Sequence, residues 1–326
     1  MKRERTVFKR TIIFSIIVII ILTCFTLISL ELLNLMHSKD IIINHKPILI
    51  DGNKDINEEN GIIKGLGTKE SPYLIDGWVI TAESREGIFI NNTDEFITIS
   101  NCTIFGGDNW NTNDYYISYP GIYLSNVKNC LLKDNTLFDN SPSIFISYSN
   151  NNIIIKNKIN DYAVKFDYSV NNTLAYNSIQ VTSRAMDINI INSNNNIIKN
   201  NSVMGANGKY ASIKFGGSSY NEIINNSFSN IVGAIRTEDS ITGSKSIFNR
   251  IYNNNFIDNN KGDYEKQAYD YSGFNFWNNS NRGNYWNDWI SPDNDNNGIV
   301  DVPYQLSGDA AAKDFFPLTK PIIIDI

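Results

Sequence analysis

Residues 143–160 read SIFISYSNNNIIIKNKIN, and this stretch decides the fold. It opens with a small residue, an apolar residue, any residue and a second apolar residue, which is the period-two alternation of a short β-strand. A turn rich in Ser and Asn follows. Thirteen residues after Ile144, Asn157 and Ile159 then begin another short strand.

The same unit recurs along the middle of the chain, with the Asn–any–apolar pair returning every 20 to 30 residues. The strand unit starts at Gly87, Gly121, Ser143, Ala163, Ala185 and Ser212. The pairs are Cys102/Ile104, Asn135/Leu137, Asn157/Ile159, Asn177/Ile179, Asn201/Val203, Asn226/Phe228, Asn254/Phe256 and Asn284/Trp286, with Trp78/Ile80 extending the register backward. This period predicts an all-β parallel β-helix of about nine coils. The L-x-x-L-x-L pattern of leucine-rich repeats and the 3.6-residue stripe of helical repeats are absent.

Stacking explains why isoleucine and asparagine dominate the composition. Asn occurs 50 times in 326 residues. Neighbouring coils of a β-helix lie about 4.8 Å apart, so equivalent side chains form columns. We therefore expect an interior of isoleucine columns and a ladder of inward asparagines that hydrogen-bond amide to amide. A biased composition alone would explain the abundance of Asn but not its register.

The N-terminus differs from the rest of the chain. Residues 1–10 carry a net charge of +4, and residues 11–30 contain no charged side chain. We predict a cytoplasmic basic tail (1–10), a transmembrane anchor (11–33), a linker (34–48) and an extracytoplasmic β-helix (49–326), with membrane orientation set by the basic tail. A cleaved signal peptide is the alternative. The remaining residues carry a net charge of −10, which excludes a typical nucleic-acid-binding surface.

Two sequence blocks flank the repeats. The N-terminal block (49–80) contains Ile50-Asp51-Gly52-Asn53, Asn60-Gly61, Gly65, Gly67-Thr68, Ser71-Pro72-Tyr73 and Asp76-Gly77-Trp78. The closing block (277–326) contains Gly283-Asn284-Tyr285-Trp286, Asp293, Asp295, Asn297-Gly298, Asp301, Pro303-Tyr304, Asp314 and Pro317-Leu318. With these blocks the chain resembles the NosD-type right-handed β-helix proteins of the pectate-lyase-like, carbohydrate-binding and sugar-hydrolase group. The resemblance implies an exported right-handed β-helix, and the namesake of the family assists copper-site maturation in nitrous oxide reductase. Fold similarity alone transfers no chemistry.

One outward column of the repeated strand carries the candidate site. Its predicted members are Phe89, Tyr123, Phe145, Lys165, Asp187, Lys214 and Arg236. The aromatic residues Phe89, Tyr123 and Phe145 are candidates for saccharide binding. The residues Lys165, Asp187, Lys214 and Arg236 are weak catalytic candidates, since a uronate lyase needs a base and cations beside the carboxylate. A pair formed by Asp167 and Asp187 is the corresponding candidate for sugar hydrolysis. The alternative is that these residues only cover an exposed strand face.

Metal binding has one candidate site. Asp293, Asp295, Asn297, the Ile299 carbonyl and Asp301 follow the spacing of a calcium loop, but Tyr304 stands where the bidentate Glu should be. A plain turn explains the same residues equally well. Copper needs grouped His, Met or Cys ligands, and His37, His45, Met36, Met186 and Met204 form no obvious cluster. Cys102 and Cys130 occupy different positions of the repeat, so a disulfide is not favoured.

These observations predict a membrane-anchored surface module that binds polysaccharide or glycoprotein. A polysaccharide lyase or glycoside hydrolase is the second hypothesis, and an accessory factor in copper-enzyme maturation is the third. Calcium is the one cofactor the sequence suggests.

Overall fold

The structure, a computed structural model, describes residues 43–108, 118–160, 164–181, 188–205, 213–259 and 266–324. The predicted basic tail, the transmembrane segment 11–33, His37, Met36, Met186 and Asp187 lie outside these residues. In the part of the chain that is described, no helix is long and apolar enough to cross a membrane.

The described residues form three long parallel sheets and one short hairpin-like pair. Sheet A contains Ile43–His45, Trp78–Thr81, Thr103–Phe105, Thr136–Phe138, Lys158–Asn160, Ser178–Val181, Ser202–Gly205, Ser227–Ser229, Asn255–Ile257 and Tyr285–Trp286. Sheet B contains Ile48–Asp51, Ile88–Thr93, Ile122–Val127, Ile144–Ser147, Val164–Asp167, Ile188–Ile191, Ile213–Gly216, Ile235–Glu238 and Ala268–Asp270. Sheet C contains Tyr73–Asp76, Ile97–Ser100, Cys130–Lys133, Ile153–Ile155, Thr173–Ala175, Ile197–Lys199, Glu222–Ile224 and Arg250–Tyr252. Tyr304–Gln305 and Lys313–Asp314 pair antiparallel, and Asn53–Asp55 and Glu58–Asn60 are short 3₁₀ helices.

Each coil runs from sheet B to sheet C to sheet A, and equivalent strands of successive coils pair in parallel. The predicted parallel β-helix is therefore confirmed, and the nine described strands of sheet B agree with about nine coils. Alternate residues of every sheet point inward and form the core. Phe166 and Ile190 from sheet B and Ile179 from sheet A, for example, are at most 1% exposed.

The predicted asparagine ladder is confirmed, and it runs where each coil turns from sheet C to sheet A. Asn135, Asn157, Asn177, Asn201, Asn226, Asn254 and Asn284 are all buried. In each pair, the backbone N–H and the side-chain Nδ2 of one Asn donate to Oδ1 of the next. For Asn157 and Asn177 the two distances are 2.8 and 3.0 Å. The Nδ2 group also donates to main-chain carbonyls, so the amide is fully bonded inside the core.

Two further ladders run where each coil turns from sheet B to sheet C. The second asparagine ladder contains Asn152, Asn172, Asn196, Asn221, Asn249 and Asn275. A serine ladder contains Ser149, Ser169, Ser193, Ser218 and Ser246. The three ladders lock the register of the coils that they join, since a shift by one residue would leave these buried groups without partners.

Both asparagine ladders end on a buried carboxylate at the C-terminal side. In both ladders each Asn donates hydrogen bonds to the Asn of the following coil. The last Asn of a ladder therefore needs a group that only accepts hydrogen bonds, such as a carboxylate. Asp314 accepts from Asn284 N at 2.7 Å and from Trp286 Nε1 at 2.9 Å. Asp270 accepts from Asn275 Nδ2 at 3.1 Å and from Trp277 Nε1 at 3.0 Å.

The two cysteines begin the same two ladders at the N-terminal side. Cys102 N donates to Asn135 Oδ1 and Cys130 N donates to Asn152 Oδ1. The Cys102 Sγ lies 3.2 Å from the Ser100 carbonyl, where the Nδ2 group of an asparagine would donate. Both thiols are free and buried, as their different repeat positions predict. Burial raises the pKa of the Cys102 thiol to about 11.

One predicted boundary changes. The strand Ile43–His45 already pairs with Trp78–Thr81 in sheet A, so the folded part begins inside the predicted linker 34–48.

Candidate functional site

The predicted outward column is formed by the middle residue of successive sheet B strands. In chain order it contains Leu49, Phe89, Tyr123, Phe145, Lys165, Asn189, Lys214, Arg236 and Tyr269, each of them the Cα partner of the next. The inward neighbours along each strand are buried, and all are apolar except Thr237 and Asp270 at the C-terminal end. The column is therefore a straight line of side chains about 4.8 Å apart.

The aromatic residues of the column contact one another. The ring centroids of Phe89 and Tyr123 are 5.0 Å apart, and those of Tyr123 and Phe145 are 4.6 Å apart with planes only 7° from parallel. Lys165 Nζ lies 4.6 Å from the centroid of Phe145 and covers the end of the stack. The ring faces are thus occupied by neighbours, and the rings present mainly their edges to a ligand.

The cationic half of the column meets a carboxylate that the sequence analysis did not include. Lys214 Nζ lies 2.9 Å from Glu238, and Arg236 lies 3.1 Å from the same carboxylate. The Arg236 guanidinium also lies 5.8 Å from the ring centroids of both Tyr269 and Tyr271. Glu238 follows Arg236 by two residues on one strand, so period-two alternation was the signal that could have found it.

The prediction for Asp187 is wrong in register. Asn189 is the Cα partner of both Lys165 and Lys214, and it occupies the position assigned to Asp187, which lies outside the described residues. The residues AMDI at 185–188 fit the pattern of a small, an apolar, any and an apolar residue, whereas the strand itself reads INII at 188–191 and follows Asp187. The buried ladder residue Ser193 resolves the ambiguity. The inward residues equivalent to Ile190, which are Ile146, Phe166 and Phe215, each precede a ladder serine by three positions.

The structure does not bring a second carboxylate beside Asp167 on the neighbouring coils. The Cα partners of Asp167 are Ser147 and Ile191. Burial raises the pKa of Asp167, while the nearby Lys165 lowers it. Within the described residues, the pair of acids that sugar hydrolysis requires is therefore missing at this position.

A second line of aromatic side chains borders the column. Tyr148 and Tyr168 follow directly after their sheet B strands, and their rings stack 5.1 Å apart with planes 2° from parallel. They are 59% and 48% exposed. Both have positive φ, 48° and 47°, a conformation that bulky side chains rarely adopt. Tyr148 and Tyr168 follow the repeated strands and are not part of them, so the strand repeat gave no signal for these two residues.

The predicted calcium loop is a tightly hydrogen-bonded turn. Asp293 accepts from Asn297 N at 3.1 Å and from Gly298 N at 3.1 Å. Asp295 accepts from Asn297 Nδ2 at 2.8 Å, and Asn297 Oδ1 accepts from Ile299 N at 2.8 Å. Asp301 instead accepts from Asn294 N at 2.9 Å. The calcium assignment to Asp293, Asp295, Asn297, Ile299 and Asp301 stays a prediction.

The donors available for copper are scattered. Among the described residues, no group of three or more His, Cys, Asp or Glu side chains is placed to hold a metal ion. His45 and Met204 lie on sheet A strands that are six strand positions, roughly 29 Å, apart. The Cys102 and Cys130 thiols are buried at the ladder ends. These residues do not fit a copper site.

Comparison with known proteins identifies the family. The profile described as Periplasmic copper-binding protein (NosD) matches residues 33–201 and 106–290. No curated protein matches the sequence. A cysteine-to-alanine mutant of DFA-IIIase from Arthrobacter chlorophenolicus A6, in complex with DFA-III, is similar with a TM-score of 0.47 and 15% identity, over 64% of this chain and 51% of that chain. The present chain thus spans about half the length of that protein. On the extent of the profile match, together with three parallel sheets and in-register ladders, the chain belongs to the NosD family.

Proposed function

We propose that this chain is an exported, membrane-anchored binding module that holds an acidic polysaccharide along the outer face of sheet B. The description of its family as periplasmic and the apolar segment 11–33 support the location outside the cytoplasm. The anchor would keep the β-helix and its ligand at the cell surface.

The observation that carries this proposal is the unbroken line Lys165, Asn189 and Lys214, on consecutive rungs of one flat sheet. Cations two rungs apart, about 10 Å, with an amide between them match the alternating carboxylates and hydroxyls of an extended uronate chain. The face from Lys165 to Glu238 carries three cations and two carboxylates among the described residues. The stacked rings beside Lys165 act as a rigid edge rather than as a stacking platform.

Binding of full-length protein to polygalacturonate and alginate, measured by affinity electrophoresis, tests the proposal. Replacing both lysines in Lys165→Ala/Lys214→Ala removes two charge-assisted contacts and should weaken binding roughly tenfold or more. The control Lys158→Ala/Lys199→Ala removes the same charge from sheets A and C and should leave binding unchanged. Equal losses in both variants, or no binding by the unaltered chain, would refute the assignment.

Incubation with the same polysaccharides, followed by product analysis, tests the enzymatic alternatives. A uronate lyase would release unsaturated ends from polygalacturonate, and a hydrolase would release reducing ends. Lys165, Lys214 and Arg236 are the residues on which lyase activity would depend, and the absence of both products with and without calcium would leave binding as the function. A copper titration that matches the buffer control would remove the third hypothesis.

A further inference from the structure

The corner between sheets B and C contains an unexplained change of residue type. In each coil from Cys130 to Asn275, the residue just before the residue of the second ladder has positive φ. These residues are Asn129, Asn151, Asn171, Asn195, Tyr220, Phe248 and Phe274. Asn adopts this left-handed conformation readily and aromatic residues adopt it rarely. The last three described coils therefore keep a strained aromatic residue where asparagine would fit, and such retained strain points to function.

The three rings are open to solvent. Tyr220, Phe248 and Phe274 are 58%, 36% and 76% exposed. Their centroids are 5.3 and 6.4 Å apart, and their planes are tilted by 32° and 50°. Phe89, Tyr123 and Phe145 of the sheet B column, in contrast, are half-buried. The greater exposure of the three corner rings leaves more ring surface accessible to a ligand than the sheet B column does.

The neighbouring outward positions on sheet C add polar groups to these rings. Arg250 is the Cα partner of Glu222 and forms a bridge with Phe276, which is 50% exposed. No carboxylate of the described residues forms a salt bridge with Arg250, and Glu222 accepts a hydrogen bond from Tyr252 Oη at 2.9 Å. A cleft of about 450 Å³ lies beside them, lined by Arg250, Tyr252, Phe276, Asn278, Asn279 and Ser280.

We propose that this surface, the aromatic platform of Tyr220, Phe248, Phe274, Phe276 and Arg250, binds a neutral saccharide. Accessible ring faces suit the apolar C–H faces of pyranose rings, and the fork of Arg250 suits paired hydroxyl groups. We expect a neutral ligand because the platform has no net charge: Arg250 lies opposite Glu222 on the adjacent strand. The platform lies on sheet C and on the corner between sheets B and C, so it is separate from the site proposed on sheet B for an acidic polysaccharide.

A saccharide fits this surface better than a polypeptide does. The rings form a row one coil apart, and the polar side chains Asn278, Asn279 and Ser280 line the adjoining cleft together with Arg250, Tyr252 and Phe276. Peptide recognition on a β-protein uses either an unpaired strand edge or a deep groove for anchoring side chains. The strand Arg250–Tyr252 is paired with Glu222–Ile224 on one side and bridged to Phe276 on the other, so its own edges are occupied.

The experiment uses full-length protein in a detergent without a sugar headgroup, titrated calorimetrically with cellohexaose, xylohexaose, laminarihexaose and chitohexaose. We expect at least one of these to bind. The variant Phe248→Asn/Phe274→Asn should lose about tenfold or more in affinity. Its melting temperature should be unchanged or higher, because asparagine suits the backbone at both positions.

The matched control is Tyr176→Asn, which replaces another aromatic residue of positive φ, 55°, at the corner between sheets C and A. It should leave saccharide binding unchanged. Absence of binding to all four hexasaccharides, or equal binding by the platform variant, would overturn the proposal. So would a platform variant that alters only self-association or the crosslinking of a protein partner.

The two proposed sites fail independently. Lys165→Ala/Lys214→Ala should leave hexasaccharide binding intact, and Phe248→Asn/Phe274→Asn should leave polygalacturonate binding intact. If either variant lost the binding of both ligands, the two faces would not be separate sites, and the proposal of a saccharide-binding platform on sheet C would be wrong.

Discussion

Equivalent positions of successive coils repeat one residue inside the β-helix and change it outside. The interior places Asn157, Asn177 and Asn201 on three consecutive rungs, whereas the outer face of sheet B places Phe145, Lys165 and Asn189 on the corresponding coils. Each interior amide must meet its neighbours' donors and acceptors in a dry core, so only one side chain fits. Water satisfies the outer groups, and the outer face is therefore free to vary with function.

The substitution Asn177→Ala is expected to have the largest effect, and it tests the interior side of this comparison. It removes the acceptor of the Asn157 backbone N–H and the side-chain donor to the buried Ile154 and Ala175 carbonyls. Two or more unsatisfied groups at about 1–3 kcal/mol each predict a loss of about 4 kcal/mol in the free energy of unfolding, measured by urea denaturation.

The matched control for Asn177→Ala is Asn195→Ala, at an exposed corner position with φ of 57°. Here only the backbone preference changes, so the expected loss is about 1–2 kcal/mol. Similar losses at the two positions would contradict the contrast between interior and surface.

A second test concerns the carboxylate that ends the first ladder. Burial raises the pKa of Asp314 to about 6, against the hydrogen bonds from Asn284, Trp286 and Phe316 that lower it. The fit is close, because a Cβ on Gly283 would lie 1.8 Å from Asp314 Oδ1. Asp314→Ala leaves the Asn284 and Trp286 donors unpaired, and we expect a loss of about 3 kcal/mol near pH 4.

The loss should shrink as the pH rises. The native state holds the Asp314 proton at pH values where the unfolded chain has already lost it. This contribution is fully present below about pH 4 and disappears as the pH passes through about 6. Urea unfolding of both proteins at pH 4 and pH 7 measures the difference, and Asp309→Ala is the exposed control. A loss that grows with pH would contradict the raised pKa.

The sequence predicted the interior well and the outer face poorly. The ladder from Asn135 to Asn284 and its cysteine start were predictable, since hydrogen-bond stacking demands the same residue on every coil. The second ladder and the serine ladder were missed, although Asn152 and Ser149 stand in the decisive stretch. They belong to the turn, where no strand periodicity draws attention to them.

The error at Asp187 has the same origin. Outer residues carry no register signal of their own, so the small residue Ala185 placed the predicted outward position two residues too early, and only the buried Ser193 marks the true register. Period-two alternation places Glu238 on the outer face, but its ion pair with Lys214 joins two neighbouring coils and is seen only in the structure. Sequence periodicity predicts which residues occupy equivalent positions on successive coils, whereas the side-chain contacts between coils are known only from the structure.

A third, smaller effect is expected at the predicted calcium loop. With Tyr304 in place of the bidentate Glu, calcium should bind no more tightly than the millimolar range. About 10 mM calcium would then add about 1.4 kcal/mol to the free energy of unfolding. Thermal melting with calcium and with magnesium checks this, and Asp293→Ala should abolish any calcium-specific gain. A gain that survives in Asp293→Ala would place the ion elsewhere, and no gain would favour the plain turn.

The smallest expected change in stability belongs to the surface lysines. Lys165→Ala/Lys214→Ala removes a cation–π contact with Phe145 and a half-exposed salt bridge with Glu238. Such contacts contribute less than about 1 kcal/mol each, and Arg236 still neutralises Glu238. The urea midpoint should therefore stay close to that of the unaltered chain while acidic polysaccharide binding falls. If the midpoint fell as far as in Asn177→Ala, the outer column would be part of the scaffold, and its loss of binding would report unfolding rather than a missing contact.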